Sequence, residues 1–164
     1  MQVAIISDTH IPSRATEMPA DFRERVRAAD HVIHAGDFDS KGAYADIDDL
    51  APEMTAVRGN MDPGIGLPRS TTVELGGVTF AVTHGTGSPH GYEDRVAELA
   101  RANADEPRVG VAGHTHEVLD TVHGGVRLLN PGSATGASPA SRATMMTAAV
   151  DAGEIDVTLH ESGD

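Results

Sequence analysis

The sequence predicts an α/β protein, a four-layer α/β/β/α sandwich of two mixed β-sheets flanked by helices. Three observations predict it. Apolar strand-like runs alternate with helical stretches over the first third of the chain, hairpin signals dominate the rest, and no second composition regime interrupts the 164 residues. The chain is long enough for a sizeable core, and the expectation is one domain over residues 1–164.

Each element has a local reason. Residues 3–7 (VAIIS) read as a strand, 19–29 (PADFRERVRAA) as a helix opened by Pro19, and 31–35 (HVIHA) as a second strand, which makes a β-α-β unit. Residues 40–50 read as helix and 54–58 (MTAVR) as strand. Pro63, Gly64, Gly66 and Pro68 then mark a long irregular loop. Residues 71–75 and 78–83 pair as a hairpin across Gly76-Gly77, a favoured two-residue turn. A helix over 93–103 leads to a strand at 108–112. Two further hairpins follow, 117–122 with 126–129 across Gly124-Gly125, and 143–150 with 154–160 across Asp151-Ala152-Gly153.

Composition limits the function classes. There are 25 Asp and Glu against 12 Lys and Arg, a net charge of −13, and Lys41 is the sole lysine. Such a charge repels extended nucleic acid and anionic membranes at long range, so neither is an expected partner. It suits an ordinary acidic surface or, the favoured reading, a halophilic protein whose self-repulsion is screened by salt. With no cysteine, any metal rests on oxygen and imidazole nitrogen. No apolar run approaches the roughly 20 residues of a membrane span, and Met-Gln-Val-Ala-Ile-Ile lacks the basic region of a signal peptide. The expected location is cytoplasmic; a homo-oligomer is allowed.

Five short motifs carry metal-ligand chemistry in one order: Asp8-Thr9-His10, Gly36-Asp37, Gly59-Asn60, Thr83-His84-Gly85 and Gly113-His114-Thr115-His116. Most follow an apolar run, which would gather the donors at one sheet edge. A lone Asp-x-His means little, and Gly-Asn alone reads as a turn. In the set, Asp8 and His10 stand two apart at a strand end, where a period of two points both side chains one way, and His114 and His116 repeat that spacing. Gly36 allows a sharp turn that faces Asp37 into a cavity, and the Asn60 carbonyl can hold a divalent ion without adding charge. Asp39 reads as a helix cap rather than a ligand. His34, inside an apolar strand, reads as a satisfied core histidine.

These motifs, with VAIISDTHIPSR, HVIHAGDFDS, AVRGNMD, AVTHG, VAGHTH and LLNPGS, resemble the calcineurin-like metallophosphoesterase superfamily, in its small single-domain phosphodiesterase branch related to Vps29. The resemblance implies the same sandwich and two divalent metal ions. By it, Asp8, His10, Asp37 and His116 hold one ion and Asp37, Asn60, His84 and His114 the other, with Asp37 bridging. Mn²⁺ is the first choice, and Fe²⁺, Co²⁺, Ni²⁺ and Zn²⁺ also suit the donors. The implied activity is hydrolysis of small phosphodiesters by a metal-activated hydroxide. Two ions, two carboxylates and one hydroxide leave about one positive charge, a match for a phosphodiester monoanion. The alternative is a non-catalytic Vps29-like interaction scaffold, disfavoured because a scaffold has no use for so many convergent polar groups.

The candidates for catalysis are Asp37, Asn60, Asp62 and Arg14. Many superfamily members place a proton-donating histidine where this chain has Met61, and a thioether cannot donate. Asp62 is either a stand-in donor or, as preferred, a hydrogen-bond partner of a ligand histidine. Arg14 suits either a phosphate contact or a salt bridge, and Arg58 more a salt bridge. A substrate contact by Ser133 in the Asn130-Pro131-Gly132-Ser133 loop is a further expectation.

Overall fold

The computed structural model describes residues 1–162. The described residues form ten strands and three helices, β1 (Gln2–Ile6), α1 (Ala20–Ala28), β2 (His31–His34), α2 (Lys41–Leu50), β3 (Met54–Ala56), β4 (Ser70–Leu75), β5 (Val78–Thr83), α3 (Tyr92–Asn103), β6 (Arg108–Val111), β7 (Val118–His123), β8 (Val126–Pro131), β9 (Thr144–Asp151) and β10 (Glu154–Glu161). They build two five-stranded mixed sheets, ordered β10-β9-β1-β2-β3 and β4-β5-β6-β8-β7.

β1 reads as an unbroken apolar run because both its faces are covered. Its alternate residues divide between two cores. Val3 and Ile5 face the second sheet, where they pack with Phe80, Val82, Val109, Val111 and Leu129. Ala4 and Ile6 face the other way, against Phe22 and Val26 of α1 and Ile47 of α2. Val96, Ala97 and Ala100 of α3 cover the far face of the second sheet over Ala81 and Leu128. The layers are therefore helices, sheet, sheet and helix, the predicted sandwich.

In the first sheet β1, β2 and β3 are parallel, and in the second β5, β6 and β8 are parallel. Loops after parallel strands collect at one edge, where open α/β sheets bind their ligands. The predicted elements agree with the observed ones to within a residue or two. One turn differs: Asp151 pairs directly with Glu154, so the last hairpin closes through Ala152-Gly153 alone. Both residues have positive φ, 50° and 82°, as a two-residue turn of the primed type requires. No helix among the described residues is long and apolar enough to cross a membrane.

Candidate metal centre

The loops leaving β1, β2, β3, β5 and β6 bring Asp8, His10, Asp37, Asn60, His84, His114 and His116 to the shared edge of the two sheets. Strand pitch does not aim the paired donors, contrary to the sequence expectation. β1 ends at Ile6 and β6 at Val111, ahead of both pairs. Instead Asp8, His10, Asp37, Asp39, His114 and His116 all take left-handed backbone conformations, with φ between 46° and 78°. Such residues cost about 1–3 kcal/mol each and persist only where the surroundings over-determine them. Here they do: Asp8 N–H donates to Gly36 O (3.0 Å), His10 N–H to Asp37 O (3.1 Å) and Gly113 N–H to His84 O (3.1 Å). Gly59 and Gly113 complete the cradle, because a Cβ on either would collide with Asp37 Oδ1 or with Ser7 Oγ and Asp8 Oδ2.

Three imidazoles are oriented alike. His10 Nδ1 lies 2.9 Å from Asp39, His84 Nδ1 2.7 Å from the Ala35 carbonyl oxygen, and His116 Nδ1 2.9 Å from the Ala137 carbonyl oxygen. Each partner is an acceptor, so each Nδ1 carries the proton and each Nε2 turns a lone pair inward. The carboxylates are divided in the same way. Asp8 Oδ2 accepts from Ser7 Oγ (2.7 Å) and the His114 N–H (3.1 Å), and Asp37 Oδ1 from the Met61 N–H (2.8 Å), which leaves one oxygen of each facing the imidazoles.

The facing atoms fit a divalent ion. Asp8 Oδ1 and His84 Nε2 are buried without a hydrogen-bond partner among the described residues. Two donors about 2.1 Å from one ion and at right angles lie about 3.0 Å apart. His10 Nε2 to His116 Nε2 is 3.1 Å, His116 Nε2 to Asp8 Oδ1 3.3 Å and His84 Nε2 to Asp37 Oδ2 3.1 Å. Asp8, His10 and His116 form one potential metal cluster, and Asp8, Asp37 and His84 an adjoining one. At the mouth, Asn60 Oδ1 and His114 Nδ1 are 3.1 Å apart, with the His114 ring edge-on to His84.

The charges hold one another. Burial alone would raise the carboxyl groups of Asp8 and Asp37, but His10, His116 and His84 beside Asp8, and His84 beside Asp37, keep both below the usual carboxylate range. Burial alone would likewise lower His10 and His84. Asp8 and Asp39 beside the first, and Asp37 beside the second, raise them instead. His114 is lowered by burial and by the neighbouring His84.

Several residues depart from their expected roles. Asp39 is not the cap of α2; Ser40 is, its Oγ accepting from the Ala43 N–H at 3.0 Å, and Asp39 turns to His10 and Ser13. Among the described residues Asp62 makes no hydrogen bond to a histidine. Its carboxylate accepts from three backbone N–H groups, those of Asp37 (2.9 Å), Asp39 (2.9 Å) and Gly59 (2.8 Å), and so ties two ligand loops together. Arg14 forms no ion pair among the described residues and donates to the Ser138 carbonyl oxygen at 2.7 Å. Arg58 likewise lacks the expected salt bridge and lines a cleft beside Asn60 and His84. Ser133 is fully buried and clamps backbone rather than facing the site, donating to Asp8 O at 2.7 Å and accepting from the Ala137 N–H at 2.9 Å. His34 is the satisfied core histidine expected, between Thr9 Oγ1 and the Gly36 N–H, stacked on Phe38 and pushed down to about 3 by burial.

Comparison with known proteins bears on the family and the fold. A protein of Methanothermobacter thermautotrophicus named "Probable metallophosphoesterase" is 33% identical over 166 aligned positions, covering 99% of this chain and 94% of its own. Vps29 from Entamoeba histolytica, solved in complex with zinc, superposes with a TM-score of 0.75 at 26% identity, over 98% of this chain and 99% of that one. An archaeal phosphodiesterase shares the fold with a TM-score of 0.72 at 21% identity, over 98% of this chain and all of its own. Residues 1–153 match the calcineurin-like phosphoesterase superfamily domain, and the chain belongs to that superfamily.

Proposed function

We propose that the chain is a dinuclear-metal phosphodiesterase acting on small phosphodiesters. One observation carries the reading: three Nε2 lone pairs, each fixed by a donated Nδ1–H, converge with the free oxygens of two buried carboxylates. Without a cation these groups are costly to bury together.

Asp8, His10, Asp37 and His116 would hold one ion, and Asp37, Asn60, His84 and His114 the other, with Mn²⁺ the first choice. When bound, such ions polarise phosphoryl oxygens and acidify water. The chain's own contribution is orientation. Asp39, Ala35 and Ala137 keep the imidazoles in the ligating tautomer. Asp62 holds the Asp37 and Asn60 loops in register through three N–H groups, which occupy its carboxylate. Asn60 adds an oxygen donor without charge. Met61, 47% exposed at the mouth, offers no proton, so the leaving oxygen departs with little protonation.

The test is a hydrolysis screen of p-nitrophenyl mono- and diesters and cyclic nucleotides, with and without Mn²⁺. Metal-dependent turnover of diesters, lost in D37A, is expected. A Vps29-like scaffold, favoured by the likeness to the Entamoeba protein, would bind metal and turn over nothing.

A further inference from the structure

Beside Asn60 and His84 opens a cleft of about 420 Å³, bounded by the segments after β3 and β5, the residue before β4 and Arg95–Leu99 of α3. Its charge is opposite to that of the protein. Acidic residues outnumber basic ones 25 to 12 over the chain, yet Arg58, Arg69 and Arg95 line this cleft and no acidic residue does. Arg23, Arg27, Arg127 and Arg142 each pair with a carboxylate, and Arg14, Arg95, Arg101 and Arg108 donate to carbonyl oxygens, whereas the exposed side chains of Arg58 and Arg69, like that of Arg25 on α1, have neither kind of partner among the described residues. In a chain so rich in carboxylates, two unpaired guanidinium groups on one cleft call for an anion from outside.

The two arginines are also held in place. Arg58 N–H donates to Pro68 O at 2.8 Å, and Arg69 O accepts from Thr83 Oγ1 at 3.5 Å, so the bases of both side chains are tied to each other and to β5. Arg95 donates to the carbonyl oxygens of Gly85, Ser88 and His90 and so fixes the loop after β5 while adding its charge to the cleft. Val96 and Leu99 give one wall an apolar surface. The volume falls in the range of small-molecule sites, larger than a phosphate alone needs.

We propose that this cleft binds a second phosphate group, carried on a nucleoside-sized part of the substrate, while the diester lies at the metal-ligand cluster. Arg58 and Arg69 grip the second phosphate through guanidinium forks, and the Val96-Leu99 wall takes the ring. The substrate class is then a small phosphodiester bearing a further phosphate. This deepens the phosphodiesterase reading and rests on it for the diester half alone.

Two measurements test it. In the first, metal-free protein is titrated calorimetrically with adenosine 5′-monophosphate. Binding is expected, weakened about tenfold by R58A or R69A and about a hundredfold by the pair, since each removes a charge-assisted contact. R25A, which removes the same charge from the exposed face of α1, should bind as the native protein does. Failure of the native protein to bind, or equal binding by the double variant, overturns the subsite. In the second, kcat/KM with Mn²⁺ is compared for the dinucleotides ApA and pApA, which differ only in the terminal phosphate. The native protein should prefer pApA, and the double variant should lose at least ten times more on pApA than on ApA. Hydrolysis of both without preference overturns the subsite and leaves the phosphodiesterase reading standing. Arginine-dependent nucleotide binding with no hydrolysis of any ester supports the subsite and overturns that reading.

Discussion

His10 Nε2 and His116 Nε2 face each other at 3.1 Å, while both Nδ1 protons are already donated, to Asp39 and to the Ala137 carbonyl oxygen. Two lone pairs at that distance repel unless a cation lies between or beside them. Burial alone would lower His10, but the carboxylates of Asp8 and Asp39 beside it raise it above its ordinary value of 6.5, so they favour a proton on the ring that a metal ion would displace.

Proton and metal should therefore compete. The raised His10 and His84 stabilise the metal-free fold fully below about pH 6.5, and that contribution is lost as pH rises through their raised values. The lowered Asp8 and Asp37 contribute above about pH 3.8 and lose this as pH falls. Burial lowers His31, His34 and His114, whose contribution is lost instead as pH falls below about 6.5, so the mark of the raised pair is an alkaline loss of melting temperature in chelator that saturating Mn²⁺ should remove. Calorimetry at pH 7 in buffers of different ionisation heat should show protons released on binding Mn²⁺. Zero release would mean that the imidazoles are already deprotonated.

Asp39 acts through His10, so its loss should appear in metal binding before it appears in stability. Asp39→Ala leaves the Nδ1–H unpaired and frees the ring to rotate or change tautomer, and the expected weakening of Mn²⁺ binding is about 10–100-fold. Asp39→Asn, whose amide oxygen can still accept from Nδ1–H, should recover part of it. Metal affinity of D39A equal to that of the native protein would remove Asp39 from the site.

Asp62 should behave as a fastening, not a proton donor. Asp62→Ala strands three N–H groups, at about 1–3 kcal/mol each, so a loss of at least about 3 kcal/mol and a fall in Tm of about 6–12 °C are expected. A variant that melts like the native protein but turns over far more slowly would restore Asp62 as the acid.

The sandwich was legible because β1 is apolar on both faces and the glycine pairs mark their turns, while the ligand types announce themselves beside glycine. What sequence could not show are contacts across long separations. Asp39-Ser40 offers two adjacent capping residues, and only the fold decides that Ser40 caps α2 and Asp39 turns to a histidine 29 positions away. The Ser133 clamp on Asp8 spans 125 positions, so no local signal distinguishes it from a substrate contact. Sequence favours a salt bridge for Arg58 over a phosphate contact, and only the assembled cleft, lined by no acidic residue among those described, shows otherwise. The left-handed backbone at Asp8, His10, His114 and His116 was hidden by a spacing that imitates strand pitch.

Met61 decides how the leaving group departs. Its N–H donates to Asp37 Oδ1 at 2.8 Å, which fixes the backbone beside Asn60, while its side chain is exposed and free to be exchanged. Without a donor at this position, negative charge collects on the departing oxygen, and log kcat over a series of aryl phosphodiesters should fall steeply with leaving-group pKa. Met61→His supplies an imidazole at the same point and should flatten the slope, with gains that grow toward the roughly 10²–10⁴-fold reach of general acid catalysis for the poorest leaving groups. Mn²⁺ content should stay unchanged, because the backbone bond to Asp37 does not depend on the side chain. Equal slopes for both proteins would mean that water or another residue already protonates the leaving oxygen.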